Sequence, residues 1–154
     1  MDNKFSNLAR RISILDRLMH KYYNRELSAY EIGWGQQFYV WYLSDHPGAP
    51  AQEVADHMHV DKATLAKNVK KLVGLGYIRV ETDDNDKRVK HLYLTDKATP
   101  VILQIQKIHN NFYQILNRGI PQQEVQLTEQ SMEQMILNIY HEVEGLGDEY
   151  LGEL

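Results

Sequence analysis

The chain of 154 residues contains no cysteine, which excludes disulfides, thiolate metal sites and thiol-based redox sensing. It has no run of about 18 consecutive apolar residues, the length a membrane-spanning helix requires. No signal-peptide pattern is present either: Met1-Asp2-Asn3-Lys4 leads straight into a polar amphipathic stretch. The protein is therefore expected to be soluble and cytoplasmic, with no membrane partner. Low-complexity tracts and internal repeats are absent. So are a nucleophile with a neighbouring base and a glycine loop able to cradle phosphate, so no catalytic residue and no cofactor are expected, and the chain reads as a non-enzyme. Nor is there a large excess of one charge: the net is −4, which argues against indiscriminate binding to nucleic acid.

What is present is an uneven distribution of that charge. Residues 61–97 carry nine Lys+Arg against six Asp+Glu, a local +3, leaving eight basic and fifteen acidic groups, −7, on the rest. A basic stripe on an acidic body attracts phosphate with one face and repels it with the others. Lysines on a helix also serve simply to solvate it, and charge alone leaves both readings open.

The length suits one domain with a sizeable core. Leu8, Ile12, Leu15, Met19 and Tyr22 recur at steps of four and three, predicting a helix over about 5–27, widened by Ile14, Leu18 and Leu27. A second helix, rich in aromatics, is predicted from Trp34 to Asp45 and stopped by His46-Pro47-Gly48-Ala49-Pro50. A short helix from Ala51 to Met58, with Val54, Ala55 and Met58 inward, precedes the turn His59-Val60-Asp61. Asp61 is placed to cap the next helix, whose inner side carries Leu65, Val69, Leu72 and Val73 while Ala63, Lys67, Lys70 and Lys71 point away and Thr64 flanks them. Two short helices joined by a tight turn, the second basic on its outer face, make a helix-turn-helix.

After Gly74 and Gly76 come two predicted strands, Tyr77–Thr82 and Val89–Leu94, around the turn Asp83-Asp84-Asn85-Asp86. Ile78, Val80, Leu92 and Leu94 are expected to tie this hairpin to the core. A helix from about Asp96 to Arg118 carries Val101, Ile102, Ile105, Ile108, Phe112 and Ile115, with Pro100 in its first turn. Gly119 ends it, and Pro121 opens a last helix with the stripe Met132, Met135, Ile136, Ile139, Val143 and Leu146. The expected class is mainly α with a small β-wing: a winged helix over about 30–98, and terminal helices over about 5–27 and 96–147 within a single domain. The terminal stripes exceed what a compact winged helix can cover, so they are read as a homodimerisation layer; a monomer with a larger helical core is the alternative. Dimerisation suits double-stranded DNA, because two recognition helices about 34–36 Å apart read a palindrome.

With those elements in order, the chain resembles the MarR family of bacterial transcriptional regulators along nearly its whole length. Asp86-Lys87-Arg88-Val89-Lys90-His91-Leu92-Tyr93-Leu94-Thr95 matches the family's wing pattern of Asp-x-Arg followed by an apolar strand ending in Leu-Thr. Val60-Asp61-Lys62-Ala63-Thr64-Leu65-Ala66-Lys67 matches the opening of the recognition helix, and Leu72-x-x-x-Gly76-Tyr77-Ile78 its exit. Two departures stand out. Lys67 occupies a position that is often Arg in the family and cannot form a bidentate fork to guanine as readily. Ala98 replaces the Gly common after the wing.

The resemblance implies a DNA-binding, ligand-responsive dimeric repressor acting at a palindromic operator. It implies a contact set of Lys62, Ala63, Thr64, Lys67, Asn68, Lys70, Lys71, Asp86, Lys87, Arg88 and Lys90. Thr64, Lys67 and Lys71 would enter the major groove, Lys62 and Lys70 would reach phosphates, and Arg88, oriented by Asp86, would enter the minor groove. A surface ion pair with Asp84 or Asp86 is the plainer role for Arg88. Tyr22, Trp34, Phe38, Trp41 and Tyr42, with Tyr23 beside them, lie where the family often has a crevice for small aromatic or phenolic effectors; core packing is the plainer role for these. His57-x-His59 is a weak metal pattern, with His109 and His141 on separate helices, and no metal site is expected. Two other functions fit the same elements: a winged-helix protein-interaction module with no operator, and a small-molecule or metal sensor with a secondary DNA role.

Overall fold

A computed structural model describes residues 4–144 of the chain. Leu146 and the end of the last helix beyond 144, both included in the stripe above, lie outside the described residues. Six helices and three short strands follow in the order α1 (Lys4–Glu26), α2 (Trp34–Asp45), β1 (Ala49–Pro50), α3 (Ala51–His57), α4 (Lys62–Gly74), β2 (Ile78–Thr82), β3 (Lys90–Leu94), α5 (Thr99–Leu116) and α6 (Gln122–Glu144). The backbone divides into two compact units between His109 and Asn110, within α5.

Local chemistry sets most of these boundaries. The side chain of Asn24, late in α1, accepts a hydrogen bond from the Trp34 N–H at 2.8 Å and so fixes where α2 begins. Asp61 caps α4 by accepting from the Thr64 N–H at 2.7 Å, satisfying a donor that has no partner within the helix. At the other end of α4, Tyr77 N–H reaches the Leu72 carbonyl and Gly76 N–H the Val73 carbonyl, each at 2.9 Å. That closure needs a left-handed residue, and Gly76 supplies it with φ of +80°.

The sheet has the order β1-β3-β2 and is antiparallel throughout, pairing Ala49 with Leu92, Val80 with Leu92 and Ile78 with Leu94. The two-residue β1, which the sequence pattern did not indicate, turns the wing from a two-stranded ribbon into a three-stranded sheet. Gly48 makes this possible: its φ is +82°, and a Cβ there would meet the Tyr93 ring at 2.8 Å. The core of the first unit is built from Leu27, Ile32, Tyr39, Val40, Leu43, Val54, Leu65, Leu72, Ile78, Leu92, Val101, Ile105 and Ile108, all buried.

Several expectations need correction. Val73 and Val80 are both exposed, so α4 is held by Leu65 and Leu72, and the hairpin is anchored by Ile78 and Leu92. Val73 sits at the last turn of α4, where the chain has begun to leave the core, and Val80, although on the same face as Ile78, lies on an edge strand where little covers it. The helix expected from Asp96 begins as a 3-10 turn, Asp96–Ala98, before α5 starts at Thr99. Ala98 is fully buried in that turn, so the methyl group that replaces glycine fills space instead of straining the junction. A second unforeseen 3-10 turn, Ser28–Tyr30, joins α1 to α2.

Candidate nucleic-acid interface

The outer face of α4 carries Lys62, Ala63, Thr64, Lys67, Lys70 and Lys71, and all six are exposed. Helical periodicity brings them to one side because Leu65 and Leu72 point inward from the other. Lys71 leans back toward α2, its Nζ 3.4 Å from Gln36 Oε1. Asn68, half-buried one turn after Thr64, bonds to α2. Its amide oxygen accepts from Gln36 Nε2 at 2.8 Å, and its amide nitrogen donates to the Thr64 carbonyl at 2.9 Å and to Tyr39 Oη at 3.4 Å. These bonds tie α4 to α2 through Asn68.

At the wing tip, Arg88 projects with 90% of its side chain exposed. Its Nε and Nη2 donate to the two oxygens of Asp86 at 3.1 and 3.0 Å, and its backbone N–H donates to Asp86 Oδ1 at 3.0 Å. Arg88 draws the Asp86 carboxyl below its ordinary value, and that carboxylate in turn raises the guanidinium. The ion pair named above as the plainer role for Arg88 is therefore present, and it is also what orients the group outward. Lys90 donates across the hairpin to Thr82 Oγ1 at 2.6 Å, and Lys87 is exposed beside Arg88.

A network absent from the sequence reading supports this tip. Asp83 Oδ1 accepts from the N–H groups of Asn85 and Asp86 at 2.8 and 2.9 Å, and its Oδ2 lies 3.0 Å from His91 Nε2. These bonds hold the Asp83 carboxyl at about 2, led by the Asp86 N–H. The Asp83-x-x-Asp86 spacing was a signal for such a turn; that β3 would return a histidine to it was not visible in the sequence.

The aromatic residues separate into two groups. Trp34 meets Phe38 and Tyr23 edge-on, each at 4.8 Å, and Tyr22 meets Tyr23 at 5.6 Å. Trp41 and Tyr23 both reach His109, at 5.2 and 5.7 Å. Tyr42 stands apart, stacked between His46 at 4.2 Å and His57 at 4.3 Å, with its hydroxyl donating to Glu53 at 2.8 Å. The first of the two histidines in the weak metal pattern is thus engaged with a ring.

Beside the first group, Gln37 is fully buried, with Oε1 2.7 Å from His109 Nε2 and no hydrogen-bond partner for Nε2. Burial lowers the His109 pKa, so the ring is neutral near pH 7 and donates through Nε2. Because the folded value lies below the unfolded value of about 6.5, protonation favours the unfolded chain. Stability should be complete above that unfolded value and fall as pH drops through the lower folded one. Melting temperatures measured from pH 7.5 to 5 should decline less for His109→Gln than for the wild type; equal declines would contradict this assignment.

A helix-turn-helix whose second helix bears a basic outer face, followed by a hairpin ending in an oriented arginine, defines a winged-helix protein. A profile of the MarR family matches residues 32–90. The HTH-type transcriptional regulator YybA of Bacillus subtilis is 28% identical over 96 residues, covering 62% of this chain and 64% of that protein. A MarR protein from Peptoclostridium difficile superposes with a TM-score of 0.86 at 27% identity, over 92% of this chain and 93% of its own. A MarR-family regulator from Listeria monocytogenes, solved with a 26mer DNA, has the same fold, with a TM-score of 0.79 at 20% identity over 87% and 89% of the two chains. The chain is similar to MarR-family transcriptional regulators, in sequence over residues 32–90 and in fold over most of its length. Among the described residues, no helix is long and apolar enough to cross a membrane.

Proposed function

We propose that this protein is a cytoplasmic, sequence-specific DNA-binding regulator that acts as a homodimer, represses at a palindromic operator, and is released by a small aromatic or phenolic effector. The observation that carries the DNA-binding part is Arg88, held outward by Asp86 at the wing tip beyond a row of exposed lysines on α4. Phosphate is the partner such a surface suits, and the Listeria relative solved with DNA has the same fold. The effector reading rests on Trp34, Phe38, Trp41 and Tyr22 close to a buried amide without a partner; Tyr42 is not part of that group.

Selection of bound duplexes from a random pool tests the proposal. The expected product is an inverted repeat with half-sites about one helical turn apart; recovery of no enriched sequence would reject it. Two variants then separate positioning from reading. Lys70→Ala should weaken all duplexes alike and flatten the log–log salt dependence by about one unit. Lys67→Ala should cost about 1 kcal/mol on the selected site alone, near the lower end for a base contact because lysine is a point charge. Identical behaviour of the two variants on selected and random DNA would place the recognition face elsewhere.

A further inference from the structure

His91, on β3, lies between two hydrogen-bond acceptors. Its Nδ1 is 2.8 Å from the Gly48 carbonyl, and its Nε2 is 3.0 Å from Asp83 Oδ2. Neither a carbonyl nor an ionised carboxylate can donate, so both ring nitrogens must carry hydrogen for both bonds to form. Only the imidazolium does that. The neutral ring has one N–H and turns a lone pair toward the other oxygen.

The two acceptors belong to different parts of the fold. Gly48 lies next to β1, with its own N–H donating to the Leu92 carbonyl at 2.9 Å. Asp83 begins the wing turn, and its other oxygen holds the N–H groups of Asn85 and Asp86. Asp86 in turn holds Arg88. A continuous chain of hydrogen bonds therefore runs from the β1 edge through His91 and Asp83 to the guanidinium at the tip.

We propose that His91 is the positioning residue of the wing: its imidazolium latches the turn that aims Arg88, so operator binding weakens as pH rises and that proton is lost. The inference rests on the DNA-binding reading above for its consequence, although the latch itself is a property of the DNA-free protein. Asp83 is the charged group directly against the ring and, with the Gly48 carbonyl, shifts its pKa upward. Across β2 the residue paired with His91 is Glu81, which forms an ion pair with Arg79; Arg79 in turn lies 4.3 Å from the Tyr93 ring on the same face. β1 offers Pro50 opposite the ring and no ionisable group. By strand alternation, α2 and α3 pack on the Leu92 side, with Asp45, His46, Glu53, Asp56 and His57.

The sign follows from that placement. A folded-state pKa raised above the unfolded value means the latch is complete below about 6.5 and is lost as pH rises through the higher folded value. Loss of one half-buried charge-assisted hydrogen bond corresponds to about a fivefold effect.

The test has a DNA-free arm and a DNA arm, applied to the wild type, His91→Gln and Asp83→Asn. In the DNA-free protein, nitrogen NMR at pH 6 should show both His91 ring nitrogens protonated. Protection of the Asn85 and Asp86 amides, corrected for intrinsic exchange, should fall about fivefold by pH 8 in the wild type and stay flat in both variants. With the selected operator, the ratio of affinities at pH 6 and pH 8 should exceed that of either variant by a similar factor, which isolates His91 from the other histidines. A singly protonated ring at pH 6, or a wild-type pH slope retained in His91→Gln, would overturn the proposal. If the wild type binds no DNA at either pH while ring and amides behave as stated, the DNA-binding reading fails and the latch stands.

Discussion

Arg88→Ala is expected to lower operator affinity at least tenfold, about 1.4 kcal/mol, and to leave the melting temperature nearly unchanged. The guanidinium is almost wholly exposed and bonds to Asp86 within its own turn, and exposed ion pairs of that kind contribute little to folding. Ile78 and Leu92, both buried, anchor the hairpin, so the variant should keep the wing in place and lose only its charge. Bound in a narrow A·T-rich minor groove, the same guanidinium would sit in a strongly negative potential, where its contribution is far larger than in water. A drug that fills the minor groove flanking each half-site should reproduce the loss in the wild type. Undiminished binding by Arg88→Ala would mean the wing stays clear of the duplex, and a protein-interaction role for the winged helix would then gain ground.

Ile136→Glu combined with Ile139→Glu is expected to convert a dimer into a monomer and to reduce operator affinity about a hundredfold or more, because the second half-site then binds without the first to concentrate it. On α6, Met132, Met135, Ile136, Ile139 and Val143 are 40 to 70% exposed in the single chain, an apolar stripe larger than a solvated helix normally leaves in water. On α1, Leu8, Ile12 and Leu18 are likewise exposed. A second copy of the chain is the partner proposed for these faces, and a carboxylate buried there without a counter-ion would cost several kcal/mol. Light scattering should give about twice 18.0 kDa for the wild type and 18.0 kDa for the variant. A wild type that scatters as a monomer while binding a palindrome tightly would refute the dimer, as would a variant that stays dimeric.

The sequence alone determined the order of the six helices and of β2 and β3, because each rests on local chemistry, whereas β1 exists only through its pairing with β3. The stripe from Leu8 to Tyr22 sets α1, Asp61 opens α4, Gly76 closes it, and a run of aspartates with one asparagine turns the wing. The lysine face of α4 was equally legible, since helical periodicity places Lys67, Lys70 and Lys71 opposite Leu65 and Leu72 wherever the helix packs. Tertiary structure decided what depends on residues distant in the chain. Asn68 bonds to Gln36 and Tyr39, about thirty residues earlier, a link that α4 taken alone does not reveal. Val80 alternates correctly for a core position, yet lies at the edge of the sheet, where little covers it. Tyr42 parts from the other aromatics because His46 and His57 flank its ring. His91 reads as an ordinary strand residue until β1 and the wing turn bring the Gly48 carbonyl and the Asp83 carboxylate to its two nitrogens. Periodicity and caps act within a few residues and are written in the chain, whereas the partner of a polar side chain is chosen by the packing that brings distant segments together.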